Sequence, residues 1–195
     1  MTKLLILVEG QTEETFVRNV LGPHLSSAGL TVTSVILKTK RVKAGGHFRG
    51  GVTSSSQVVE DIRRLLHDTS ATAVTTLIDY YGLPPDFPGM SGRPPGPPHG
   101  RVAHVEAALA RVIADPRFIP HLALHELEAW IYAAPSSAEW VFEAGGVASQ
   151  LEGMAATAGG PELVDDGPTT APSKRLLSVF PGYQKTLHGP MAVEA

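Results

Sequence analysis

Three acidic residues, each placed at or just beyond the end of an apolar run, define the chemistry open to this chain. Glu9 closes the run Leu4-Leu5-Ile6-Leu7-Val8, Glu13 follows shortly after Gly10, and Asp79 closes the β-rich run from Ala73 to Ile78. A short apolar run that stops on Gly and passes into a helical pattern reads as an interior parallel strand. The carboxyl ends of such strands form the crevice of an open α/β sheet, so Glu9, Glu13 and Asp79 are expected at a functional rim. Carboxylates converging there make a hard-oxygen site. Mg²⁺ or Mn²⁺ suits it, and these ions commonly serve phosphate substrates. Each acid also has a plainer account. Glu13 lies in a first helical turn, where acids offset the helix dipole. Glu9 can pair with a Lys or Arg, and Asp79 can cap a turn.

Cationic candidates lie elsewhere. Residues 38–51 hold Lys38, Lys40, Arg41, Lys43 and Arg49 with His47, two Gly-Gly pairs and no acid. Such a segment can neutralise phosphates without reading bases, although a solvated loop is the ordinary use of a short charge run. Ser173-Lys174-Arg175 can open a helix whose amino end takes phosphate, or Ser173 can simply cap it. No P-loop, no Gly-x-Ser-x-Gly elbow and no dinucleotide fingerprint occurs. His125-Glu126 does not begin a zinc-protease motif, because Ala129 stands where the second His belongs.

The elements that must position these groups alternate between strand and helix, which predicts a parallel sheet. Helices are predicted over Thr12–Leu25, with a break near Gly22-Pro23, over Gln57–His67 behind the caps Ser54-Ser55-Ser56, and over Val102–Ala114. Strands are predicted at Leu4–Val8, Leu30–Leu37, Val74–Ile78 and Ile119–Leu127. Gly82–Gly100, with seven prolines and five glycines, is expected to be an extended loop directly after Asp79, and a loop of that length beside a site is more often functional than decorative. Gly145–Pro172, rich in Ala, Gly, Thr and Pro, is expected to be partly mobile and has no assigned role.

The chain's 195 residues suffice for one core with an appended subdomain. With 16 Lys plus Arg against 19 Asp plus Glu, it is no generic nucleic-acid coat, though a local basic patch is compatible. The absence of cysteine excludes disulfides, zinc-thiolate sites and cysteine nucleophiles. No signal-peptide pattern and no apolar stretch of membrane-spanning length occurs, so a cytoplasmic protein without membrane contact is expected.

Val8-Glu9-Gly10-Gln11-Thr12-Glu13 with strand-terminal Asp79 resembles the TOPRIM domain, the metal-binding α/β module of topoisomerases, bacterial primases and the overcoming-lysogenization-defect nucleases. Together with Asp79-Tyr80-Tyr81-Gly82-Leu83-Pro84, His125-Glu126-Leu127-Glu128-Ala129-Trp130, Pro172-Ser173-Lys174-Arg175-Leu176 and Pro181-Gly182-Tyr183-Gln184-Lys185, the chain resembles an uncharacterised bacterial TOPRIM-like family. Members of that family often stand beside ATPases in defence-type gene sets. The resemblance implies a Rossmann-like parallel sheet of about four strands flanked by helices, a core at 1–135, and a helical or irregular carboxy-terminal extension at 136–195. It also implies residues beyond Ala195, so a truncated chain is among the expectations.

In that family the acid after the first strand and acids after a later one hold divalent metal for phosphodiester chemistry. By position those roles fall on Glu9 and Asp79, and Glu13 matches a second acid of the nuclease branch. The usual Asp-x-Asp is broken here, because Tyr81 stands where the second aspartate belongs. Glu126 and Glu128 are candidates to complete the metal shell, since a spacing of two puts both carboxylates on one face if the segment is extended. Lining the polar face of an amphipathic segment is their alternative. The expected activity is that of a Mg²⁺- or Mn²⁺-dependent nuclease, with Lys or Arg offsetting charge on the substrate. A noncatalytic partner or regulator of an ATPase, or one that binds nucleic acid, is the second expectation.

Overall fold

A strand without a polar face must be covered on both sides, and Leu5, Ile6, Leu7 and Val8 are all buried in β1 (Thr2–Val8). The computed structural model, which describes residues 2–37, 52, 54–164 and 171–195, sets β1 inside a parallel sheet. One edge of β1 pairs with β2 (Leu30–Ile36) and the other with β3 (Ala73–Asp79). Two short strands, β4 (Phe118–Ile119) and β5 (Leu122–Ala123), pair with β3 in turn, again parallel. The order is β2-β1-β3-β4, with β5 beside the end of β3. The α/β class with a parallel sheet of four to five strands is thus the one observed. Because the chain goes from β1 out to β2 and then returns past β1 to β3, the order reverses between β1 and β3. In open sheets the carboxyl ends at such a reversal form the ligand crevice.

The first helix does not break where the sequence predicts. It runs through α1 (Gln11–Phe16), a π turn (Val17–Leu21) and α2 (Gly22–Ser27). The wider turn absorbs Pro23, which has no N–H to give, while the Gly22 amide donates to the Val17 carbonyl. A Cβ at position 22 would stand 2.8 Å from that carbonyl oxygen, so glycine is required.

The next helix, α3 (Ser55–Leu66), is capped by Ser54, whose hydroxyl accepts from the Gln57 amide, and it buries Val58, Ile62 and Leu66 at helical spacing. The last helix of this unit, α4 (Pro98–Ile113), begins at Pro98 and not at 102, since a proline's fixed φ suits a first helical turn.

The strand predicted over Ile119–Leu127 is split and ends early. Pro120 cannot donate to a ladder, and the Thr76 hydroxyl fills the gap: it donates to the His121 carbonyl at 2.6 Å and accepts from the His121 amide at 3.2 Å. Pairing then resumes only over Leu122–Ala123.

The loop after β3 is extended, as its composition predicts, but it is firmly seated. Leu83 and Phe87 are buried in the core, Ser55 donates a hydrogen bond to Asp86, and Gly89 lies against α4. Gly89 has φ +84°, and a Cβ there would meet Ala108 Cβ at 2.7 Å and Val105 Cα at 3.1 Å.

The described residues fall into two compact units, Met1–Leu124 and His125–Ala195, where the sequence suggested a division at 135–136. The second unit is helical: α5 (Glu128–Ile131), α6 (Pro135–Phe142), α7 (Val147–Ala158), a 3₁₀ turn (Pro161–Leu163), α8 (Pro172–Val179) and α9 (Lys185–Glu194). Its core centres on Ile131, Ala138, Leu151, Leu176 and Ala192, with Phe142 stacked on Phe180 at 4.7 Å between centroids. Part of Gly145–Pro172, expected to be partly mobile, is helix, while 165–170 lie outside the described residues. In α7, Val147, Leu151 and Ala155 bury one stripe, and alanine's high helix propensity compensates for the scarcity of large apolar residues. No helix among the described residues is long and apolar enough to cross a membrane.

Candidate functional site

The reversal point between β1 and β3 carries two of the predicted acids. Glu9 continues the ladder just past β1, its amide donating to the Leu77 carbonyl at 3.3 Å. Its carboxylate Oε2 accepts from the Asp79 amide at 3.3 Å, which ties the first acid to the backbone of the second. Asp79 is buried at the end of β3, where it pairs with Ala123, and Tyr80 holds the same edge by donating its amide to the Ala123 carbonyl at 2.7 Å. Parallel pairing of the two strands is thus what brings positions 70 residues apart to one rim.

Glu13 is buried and already occupied. Its Oε2 accepts from the Gly10 amide at 3.0 Å, the reach of a third helical residue back to its N-cap that makes up half of a capping box. Tyr81, two residues after Asp79, is partly exposed and provides no carboxylate. Among the described residues, no group of three or more His, Cys, Asp or Glu side chains is placed to hold a metal ion. Mg²⁺ does not require such a cage, since it binds through one or two carboxylates with water and substrate phosphates completing its shell. Glu9 and Asp79, which offer only hard oxygen donors, fit that demand.

The other pair of acids belongs to the second unit. Leu127 between them has helical dihedrals, φ −50° and ψ −31°, so the extended segment assumed for a shared face does not exist. A different device brings them together. The Lys185 ammonium lies 3.4 Å from Glu126 Oε1 and 3.4 Å from Glu128 Oε2. Glu126 Oε2 accepts from the Ser173 amide at 3.1 Å, and Glu128 Oε1 accepts from the Tyr183 hydroxyl at 2.9 Å.

Glu128 is fully buried. Burial pushes its carboxyl above the ordinary value, with Lys185 opposing. Burial and the neighbouring Glu128 push the Tyr183 hydroxyl up as well, so it remains a donor. The Lys185 contact to Glu128 Oε2 is one of charge, without an aligned hydrogen bond. A lysine thus supplies the cation beside these two carboxylates.

Residues 8–195 match the family described as Domain of unknown function (DUF4276). The chain belongs to that family. No curated protein and no solved structure matches it. The DUF4276 match takes in Glu9, Glu13 and Asp79 of the first unit and Glu126, Glu128, Tyr183 and Lys185 of the second. The DUF4276 description assigns no activity.

The predicted cations are less informative. Lys38, Lys40, Arg41, Lys43 and Arg49 lie outside the described residues. On α8, Lys174 is exposed and Arg175 half-buried, but the first-turn amide of Ser173 is taken by Glu126 and is not open to a phosphate. Sequence reasoning assigned no role to Lys185 or Tyr183, although both stand in Pro181-Gly182-Tyr183-Gln184-Lys185. What marks them is the buried Glu128 they serve, and the sequence does not display that burial.

Proposed function

We propose that this protein is a divalent-metal-dependent phosphodiester-acting enzyme, a nuclease of bacterial defence or toxin type, working at the rim of the first unit. The observation that supports it is the tie between Glu9 and Asp79 at the carboxyl ends of β1 and β3, where the strand order reverses. The TOPRIM-like motif pattern agrees with that position. Glu9 and Asp79 would hold Mg²⁺ or Mn²⁺, which supplies a Lewis acid for a phosphate and lowers the pKa of an attacking water. Glu9 is itself oriented by the Asp79 amide, and burial of Asp79 keeps its carboxylate from swinging into solvent. Glu13 fixes the Gly10 turn from which Glu9 is presented.

The test is cleavage of single- and double-stranded DNA and RNA with Mn²⁺. Glu9→Ala and Asp79→Ala should each lose at least about 100-fold in rate, the scale of removing a transition-state charge contact, with far-UV circular dichroism unchanged. Unimpaired cleavage by both variants rejects the assignment. A second reading, a noncatalytic partner of an ATPase or of nucleic acid, is favoured by Tyr81 at the place of an expected acid. Tight ATPase binding with no cleavage of any substrate in Mn²⁺ would select it.

A further inference from the structure

The seated loop after β3 builds a second feature that neither the acids nor the family match accounts for. Met90, Ser91, Arg93, Pro94, Pro95, Gly96 and Arg101 line an open concavity of about 440 Å³, and none of the lining residues is acidic.

Arg93 is held in place before any ligand arrives: its NH1 donates to the Tyr80 hydroxyl at 2.8 Å and its Nε to the Met90 carbonyl at 3.0 Å. Its guanidinium also lies 5.7 Å from the centre of the Tyr80 ring. NH2 is left for something else. Arg101 comes from the first turn of α4, a helix with no acid in that turn and no side chain capping its amino end. Its Nε is shielded from solvent and has no hydrogen-bond partner. Among the described residues neither arginine is ion-paired with a carboxylate.

Arg101 as a whole is half-buried, and a cationic side chain with an unsatisfied donor is stabilised by an anion beside it. Two guanidinium forks favour a phosphate, whose oxygens can accept from both, over a single carboxylate. We propose that Arg93 and Arg101 form a phosphate pocket, which seats one phosphate group of a polynucleotide or of a free phosphate ligand. The polynucleotide source rests on the phosphodiester function proposed above. Affinity for phosphate itself does not. Tyr80 follows Asp79 directly, so the bond from Arg93 to Tyr80 fixes the pocket to the strand that carries the acid.

The full chain in EDTA is titrated with inorganic phosphate and, separately, with a short single-stranded DNA, at matched ionic strength. Arg101→Gln should weaken both about tenfold, as loss of a charge-assisted contact does, and Arg93→Gln/Arg101→Gln should weaken both further. Arg111→Gln, the same charge change in the last turn of α4, should leave both unaltered. Because Arg93 also braces the loop, phosphate at a fixed concentration must raise the thermal midpoint of the wild type by more than that of folded Arg101→Gln. Equal weakening by Arg111→Gln, or wild-type affinity in the double variant, overturns the pocket. Phosphate bound without DNA supports the pocket and overturns the polynucleotide as its source. Glu9→Ala that binds DNA normally but does not cleave it supports both proposals. Failure of cleavage with pocket binding intact counts against the proposed function alone.

Discussion

Glu128 has no contact with water, so its two oxygens depend on what the second unit places around them. Tyr183→Phe keeps the edge-on ring packing against Phe142 and removes the one hydroxyl that Glu128 Oε1 accepts. That takes the hydroxyl donor from a buried carboxylate, and urea denaturation should show a loss of about 1–3 kcal/mol. The ion pair between Lys3 and Asp68 is of another kind. Hydrogen bonds from Lys3, then from the Ser70 hydroxyl and amide, hold the Asp68 carboxyl well below its ordinary 3.8. A depressed carboxyl stabilises above its unfolded value and loses that contribution as pH falls through the folded one. Asp68→Asn should therefore be less stable than wild type at about pH 6, and in chemical denaturation the gap should begin to narrow as pH falls below about 4 and close only once pH is below the folded value. Since this pair is exposed, the gap at neutral pH should be small and should shrink in salt.

At the scale of elements, the loop between β3 and α4 decides more than its composition suggests. Proline and glycine content predicts an irregular path, and the path is irregular, yet Phe87 sits in the core and Gly89 touches α4. Gly89→Ala must either move the loop off Val105 and Ala108 or strain a residue at φ +84°. The expected cost is about 1–3 kcal/mol in thermal or urea unfolding, together with weaker phosphate binding, because Arg93 and Gly96 ride on the same loop. Local signals served well where an element carries its own boundary: Ser54 caps α3 and Val58, Ile62 and Leu66 keep period. They failed where a distant side chain substitutes for the ladder, as Thr76 does at His121, and where a π turn carries the chain past Pro23.

For the molecule as a whole, metal binding is linked to folding stability. If Glu9 and Asp79 hold Mg²⁺ only when folded, Mg²⁺ at 100 times its Kd should stabilise the wild type by about 2.7 kcal/mol and leave Glu9→Ala and Asp79→Ala unmoved. Urea midpoints with and without Mg²⁺ measure this without any substrate. The sequence by itself determined the parallel α/β core, because Leu4–Val8 is apolar throughout, Ala73–Ile78 is apolar but for Thr75 and Thr76, and the intervening helix periods leave few other ways to bury them. It also determined that Glu9 and Asp79 end those strands. Only the tertiary structure decided which groups meet: pairing of β1 with β3 set Glu9 on the Asp79 amide, while the helical turn at Leu127 and the reach of Lys185 gave Glu126 and Glu128 an ammonium as their neighbour. Hydrophobic pattern is a local property that period alone can reveal. The partner of a charge is a long-range one, set by packing between residues whose order in the chain says nothing of their distance.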